Sequence, residues 1–135
     1  MILDTSYLLD LKRGDSGAFD RGVELHDEGV PQRIPAHVFF ELFYGVGRTQ
    51  SEEERRRVQN ALMGYIPVEA TPRISRVAGE MLGRIDIEDE ATGDVTGIEV
   101  GDAYVGATAR VLDEPVLTRN AADFERMPGV RVESY

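Results

Sequence analysis

The chain contains no cysteine and almost no lysine. Without thiols, neither disulfides nor thiolate metal sites are possible. At 135 residues the chain is long enough to bury a core without such staples, as a single domain over residues 1–135. Lysine occurs once, at Lys12, beside fourteen arginines, and 25 acidic against 15 basic residues leave a formal charge of −10. So little positive charge excludes a generic DNA-binding surface, because phosphate recognition normally leaves a basic footprint. The same imbalance suits a chain adapted to high salt, as in a halophilic archaeon, where self-repulsion is screened. A GC-rich genome also favours Arg over Lys. No apolar run approaches a membrane span, and Met1-Ile2-Leu3-Asp4 enters structure with no charged leader. The expectation is a soluble, cytoplasmic protein with no membrane partner.

What the chain does contain is an alternation of short apolar strands with helices, which predicts an α/β fold with a mainly parallel sheet. Ile2-Leu3-Asp4 reads as a first strand followed by a helix through Leu11 that Gly14 stops, and a second, more polar helix ends near Gly29. Gln32-Arg33-Ile34 is a weak strand. Ser51 and Glu54 form a capping box at the start of an arginine-rich helix, and Thr71-Pro72 opens another. In the latter, Ile74, Val77, Ala78, Met81, Leu82 and Ile85 recur at helical spacing. Asp86 to Glu99 is acidic and aperiodic and reads as a loop, without the spacing of a calcium-binding EF-hand. Asp102–Leu112 reads as a helix rich in small residues, Val116-Leu117-Thr118 as a buried strand, Asp123-Phe124 as a further helical turn, and Val130-Arg131-Val132 as a last strand.

Four acids stand out against this pattern: Asp4 at a strand end, Glu41 inside an apolar helix, Asp102 at a helix start and Asp123 after a strand. Ligands in open α/β sheets sit beyond the carboxyl ends of the strands, which is where Asp4 and Asp123 fall. Glu41 lies within Val38-Phe39-Phe40-Glu41-Leu42-Phe43-Tyr44, where an unpaired acid is costly, and no Lys or Arg stands three or four residues away. Were the four to converge, they would raise one another's pKa unless a cation neutralised them. Hard oxygen donors, with no Cys and few His, suit Mg²⁺ or Mn²⁺. Such an ion can activate water for in-line attack on a phosphodiester. The aromatic crowding of the Glu41 helix exceeds a single core-facing stripe and points to self-association and partner binding near Val38–Tyr44.

Asp4-Thr5-Ser6, Glu41 in its apolar helix, the run Asp102 to Ala109 and the run Thr118 to Phe124 together resemble a PIN-domain nuclease. Among these the chain is most similar to the VapC toxins of type II toxin–antitoxin systems, over nearly its whole length. The resemblance implies a three-layer α/β/α sandwich, a metal-dependent endoribonuclease activity on RNA, a small antitoxin as partner and a homodimer. It implies Asp4, Glu41, Asp102 and Asp123 as the acidic quartet, with Asp4 and Asp102 as metal ligands and Thr5, Ser6, Thr118 and Asn120 as polar companions. Many PIN domains carry an acid where this chain has Asn120, which leaves Asn120 and Asp123 as alternatives for completing the site. Two rivals differ in class. A catalytically inert PIN-like binding module would not need all four acids. An aspartate-based phosphatase would want a second Asp where Ser6 stands and a Lys after a late strand.

Overall fold

The computed structural model describes residues 1–94 and 97–135 and builds them around a five-stranded sheet. Strands β1 (Ile2–Leu3), β2 (Arg33–Pro35), β3 (Ile66–Val68), β4 (Val116–Leu117) and β5 (Val132–Glu133) lie in the order β3-β2-β1-β4-β5. Every neighbouring pair is parallel. Helices α1 (Thr5–Arg13), α2 (Ser16–Asp27), α3 (Ala36–Thr49), α4 (Glu52–Leu62), α5 (Pro72–Thr92), α6 (Val100–Leu112) and α7 (Ala121–Glu125) flank it, giving the expected α/β/α architecture. Ile2, Leu3, Val116 and Leu117 have no exposure at all. That is why the two central strands read as unbroken apolar runs: a parallel sheet covered by helices buries both of its faces. None of the helices among the described residues is long and apolar enough to cross a membrane.

The strand order determines where a site can form. The chain lays down β1, β2 and β3 outward on one side, then returns with β4 to the opposite side of β1. The carboxyl ends of β1 and β4 therefore flank the reversal point, where helix connections diverge and leave a crevice. Leu3 pairs with Leu117, so the next residues on each strand, Asp4 and Thr118, stand side by side at that edge.

The helix boundaries follow local chemistry in most places. Ser51 accepts from the Glu54 amide at 3.2 Å and Thr71 from the Ile74 amide at 3.2 Å, each satisfying an orphan N–H of a first turn. Only half of the expected capping box forms, because the Glu54 carboxylate instead pairs with Lys12 and ties α4 to α1. The arginine run is a solvated face, with Arg55 on Glu52 and Arg57 on Glu53.

Two expectations require correction. The segment from Asp86 does not loop out: α5 continues to Thr92 and stops at Gly93, whose φ of +74° suits a residue without a Cβ. Beyond Ile85 the buried position four residues on is Asp89, while Asp86, Glu88 and Glu90 face solvent. A charge on the core side, paired with Arg126 of a distant segment, hid the helical period. Val95 and Thr96, from the same stretch, lie outside the described residues. Helix α6 begins at Val100, which places Asp102 inside its first turn rather than at its opening. The small residues of α6 have the packing role expected of them. A Cβ on Gly106 would collide with Met127 Sδ and sit 3.4 Å from Met81 Cε, so its absence lets α5 and the chain after α7 close on α6.

Candidate active site

Asp4 is the residue on which the crevice converges. It ends β1 in an extended conformation and precedes α1 without capping it through its side chain. Its carboxylate, on a residue only 5% exposed, is held by two hydroxyls instead. Ser6 Oγ and Thr118 Oγ1 each donate to Asp4 Oδ2, both at 2.7 Å. Each hydroxyl in turn accepts a backbone amide from the turn after β4. Arg119 N–H donates to Ser6 Oγ at 3.1 Å, and Asn120 N–H donates to Thr118 Oγ1 at 2.9 Å. The two hydroxyls also lie 3.1 Å from each other, so the carboxylate, both hydroxyls and the turn form one hydrogen-bonded network.

The other three acids arrive on separate helices. Glu41, partly buried on α3, accepts from Thr5 Oγ1, and His37 Nε2 lies 3.4 Å from its Oε1. A histidine one turn earlier thus provides the nearby partner that no Lys or Arg offered. That approach crowds α6: a Cβ on Gly101 would collide with the His37 ring and stand 3.0 Å from Glu41 Oε1. Asp123, in the first turn of α7, accepts from Asn120 Nδ2. Asn120 and Asp123, the two alternatives for one place, therefore form a hydrogen-bonded pair.

Asp102 shows the cost of the assembly. The first turn of a helix ordinarily favours an anion by about 0.3–1 kcal/mol. Here burial and, behind it, the charges of Asp4, Glu41, Asp123 and Glu99 push the Asp102 carboxyl from an ordinary value near 3.8 up to about 7. The helix dipole is outweighed. Among the described residues, the charged groups that shift Asp102 are all acids. Among the described residues no group of three or more His, Asp or Glu side chains is already spaced to grip an ion. The side chains gathered at the crevice are hard oxygen donors, the type that suits Mg²⁺ or Mn²⁺.

All four acids and all four polar companions singled out in the sequence fall at this one edge. Others were missed. Asp10, 5% exposed, takes Arg119 Nη1 on both oxygens at 2.7 and 3.0 Å and the Tyr135 hydroxyl at 2.9 Å. An acid between Leu9 and Leu11 carries the same warning that drew attention to Glu41. Glu99, just before α6, adds to the acidity around Asp102 and had no distinguishing signal.

The fold has counterparts of known structure. The chain is similar to VapBC2 from Rickettsia felis, solved on a promoter DNA fragment, with 20% identity, 99% and 97% of the two chains covered and a TM-score of 0.81. It is similar to DNA-bound VapBC from Salmonella typhimurium at 22% identity, 98% and 96% coverage and a TM-score of 0.74. For VapBC-5 from Mycobacterium tuberculosis, described as a member of the VapBC family of toxin–antitoxin systems, the values are 20%, 98%, 94% and 0.60. At such identities these likenesses establish the fold. No curated protein matches the chain by sequence. The PIN domain family model matches residues 1–130, the whole of the sheet's first four strands and the helix that carries Asp123, and on that match the chain belongs to the PIN domain family.

Proposed function

We propose that the chain is a Mg²⁺- or Mn²⁺-dependent endoribonuclease and acts as the toxin of a toxin–antitoxin pair. The observation that carries this reading is Asp102, whose carboxyl is pushed up to about 7 by burial and then by the gathered charges of Asp4, Glu41, Asp123 and Glu99. A chain that brings four carboxylates together, with His37 beside Glu41 but no Lys or Arg ion-paired to any of the four among the described residues, fits a divalent cation, and the PIN family is one of nucleases that generally use such ions. Asp4 and Asp102 would hold the ion, which when bound supplies charge for a phosphodiester oxygen and a more acidic water.

The remaining work falls to this chain's own side chains. Ser6 and Thr118 fix the Asp4 carboxylate by two hydrogen bonds, so that its position is set before substrate arrives. Thr5 orients Glu41, and Asn120 orients Asp123. These two carboxylates flank the crevice as acceptors for a proton released by the attacking water. With a net charge of −10 there is little long-range attraction for RNA. Binding then rests on local contacts and on charge neutralisation within the crevice.

Partner surface is available for an antitoxin and for a second copy of the chain. Phe40 and Tyr44 on α3 are 62% and 59% exposed, whereas Phe39 and Phe43 pack on the core. Between α1, α3 and α4 lies an apolar hollow of about 310 Å³ lined by Leu8, Leu42, Val58, Leu62 and Tyr65 among others. The similar structures named above are VapBC proteins, which supports a cognate antitoxin as partner.

Cleavage of defined single-stranded RNAs in Mg²⁺ or Mn²⁺, with a chelator control, tests the activity. The expected result is metal-dependent internal cleavage that Asp4→Asn reduces at least a hundredfold while remaining folded. Equal cleavage by the folded variant, or cleavage undiminished by chelator, would overturn the assignment.

A further inference from the structure

Asp10 lies outside the crevice, yet its hydrogen bonds lead into it. The residue sits on α1 and is only 5% exposed, so its charge requires a partner. Arg13 is within reach at 3.4 Å, but its side chain is 63% exposed and its bond is the weakest of the set. Arg119 is the principal partner, with Nη1 at 2.7 Å from Oδ1 and 3.0 Å from Oδ2. The Tyr135 hydroxyl adds a bond to Oδ2 at 2.9 Å, and its ring stands edge-on to buried Tyr7 with centroids 5.1 Å apart. Asp10 is thus a fixed anchor in a packed wall. Arg119, whose side chain is 59% exposed, is the member that this anchor restrains.

What Arg119 restrains is the turn between β4 and α7. That turn has little support of its own, since β4 is 2 residues long and α7 is 5. Asn120 within it adopts φ −96° and ψ 60°, outside the regular helical and extended conformations. Yet three residues of the turn set the carboxylate geometry. Thr118 donates to Asp4, the Arg119 amide holds the Ser6 hydroxyl that also donates to Asp4, and Asn120 holds Asp123. The Arg119 side chain and the Arg119 amide clamp this turn to α1 at two points, Asp10 and Ser6.

We propose that Asp10 is a positioning residue for the acidic centre, acting through Arg119 to hold the Thr118–Asn120 turn in register with α1. The proposal rests on the reading of that centre as a metal-dependent nuclease, and its structural core can be measured apart from it. It accounts for a buried charge that nothing else in the proposed mechanism uses. It also explains why the single arginine in the turn points back along α1.

The test compares wild type, Asp10→Asn, Arg119→Gln, Arg119→Lys and Asp4→Asn in three measurements. Amide hydrogen exchange is read at Arg119 and Asn120 against Leu3 and Leu117. Mn²⁺ affinity of the metal-free protein is read by calorimetry, and kcat and KM are read on one RNA. The expected result for Asp10→Asn and Arg119→Gln is exchange about tenfold faster at residues 119 and 120, with the two central strands unchanged. Mn²⁺ affinity and kcat should each fall about tenfold while KM stays within twofold, and Arg119→Lys should recover part of each loss. Arg119→Gln, a change at an exposed side chain, serves if Asp10→Asn does not fold. A merely structural pair would lower the melting temperature and speed exchange throughout. Unchanged protection at 119 and 120 in a folded variant would overturn the proposal, and so would wild-type Mn²⁺ affinity there. If wild type neither binds Mn²⁺ nor cleaves, or Asp4→Asn matches it, the nuclease reading fails instead, and the exchange data still decide the clamp.

Discussion

Replacing Asp102 by Asn should stabilise the metal-free protein at pH 8 and do nothing for it at pH 4. The unfolded chain ionises Asp102 near 3.8, and the folded chain near 7. Between those values the native state holds a proton that the unfolded state has lost, so stability falls as pH rises through the interval. Above the folded pKa the full cost is present, and below the unfolded pKa it is absent. A displacement of that size corresponds to about 4 kcal/mol, at about 1.4 kcal/mol per pH unit. Asp102 is only partly buried, and solvent screening reduces the figure to about 2 kcal/mol. Asparagine keeps the shape and discards the charge. For a domain of this length about 2 kcal/mol corresponds to roughly 6 °C in melting temperature. Thermal melts in chelator at pH 8, 6 and 4 read the effect directly. The variant should melt about 6 °C above wild type at pH 8, less at pH 6 and level at pH 4. A variant that melts at or below wild type at pH 8, or one whose advantage does not change with pH, would refute the electrostatic reasoning.

Other consequences follow from composition and packing. Melting temperature and solubility should rise between dilute buffer and ~1 M KCl, where the Debye length is about 3 Å and the repulsion behind a net charge of −10 is screened. A melt that is flat or falls with salt would count against halophilic adaptation. Phe40→Ser combined with Tyr44→Ser should leave the fold within about 0.5 kcal/mol, because both rings are exposed, while weakening self-association in sedimentation and antitoxin binding. Unaltered association would remove this face of α3 from any interface. Gly106→Ala should lower stability by about 1–3 kcal/mol in a denaturant titration, since the new methyl meets Met127 Sδ. A neutral result would mean that Met127 swings aside without cost.

The parts of the fold that the sequence disclosed are those governed by local rules. Unbroken apolar runs revealed β1 and β4, and the spacing from Ile74 to Ile85 revealed most of α5. The end of α5 stayed hidden because Asp89 occupies the core-facing position, and its neutralisation by Arg126 comes from 37 residues away. The same distinction applies to the acidic centre. Asp4, Glu41, Asp102 and Asp123 could each be suspected from its immediate neighbours. Their convergence depends on the register that sets Leu3 against Leu117, with the Asp4–Thr118 bond spanning 114 positions. Asp10 was legible by the argument used for Glu41 and was passed over. Its bonds to Arg119 and Tyr135 close over 109 and 125 positions, which no local pattern contains.

On the proposed function the four carboxylates would form a cation site to which Asp4 is indispensable. Calorimetric titration of Mn²⁺ into the chelator-treated protein at pH 8, beside Asp4→Asn and Asp102→Asn, tests it most directly. The expected result is a saturable heat for wild type and an affinity at least tenfold weaker for either substitution, with proton release that grows as the pH is lowered toward 7, where Asp102 begins to hold its proton. No saturable heat in the folded wild type, or wild-type affinity in either folded variant, would contradict it.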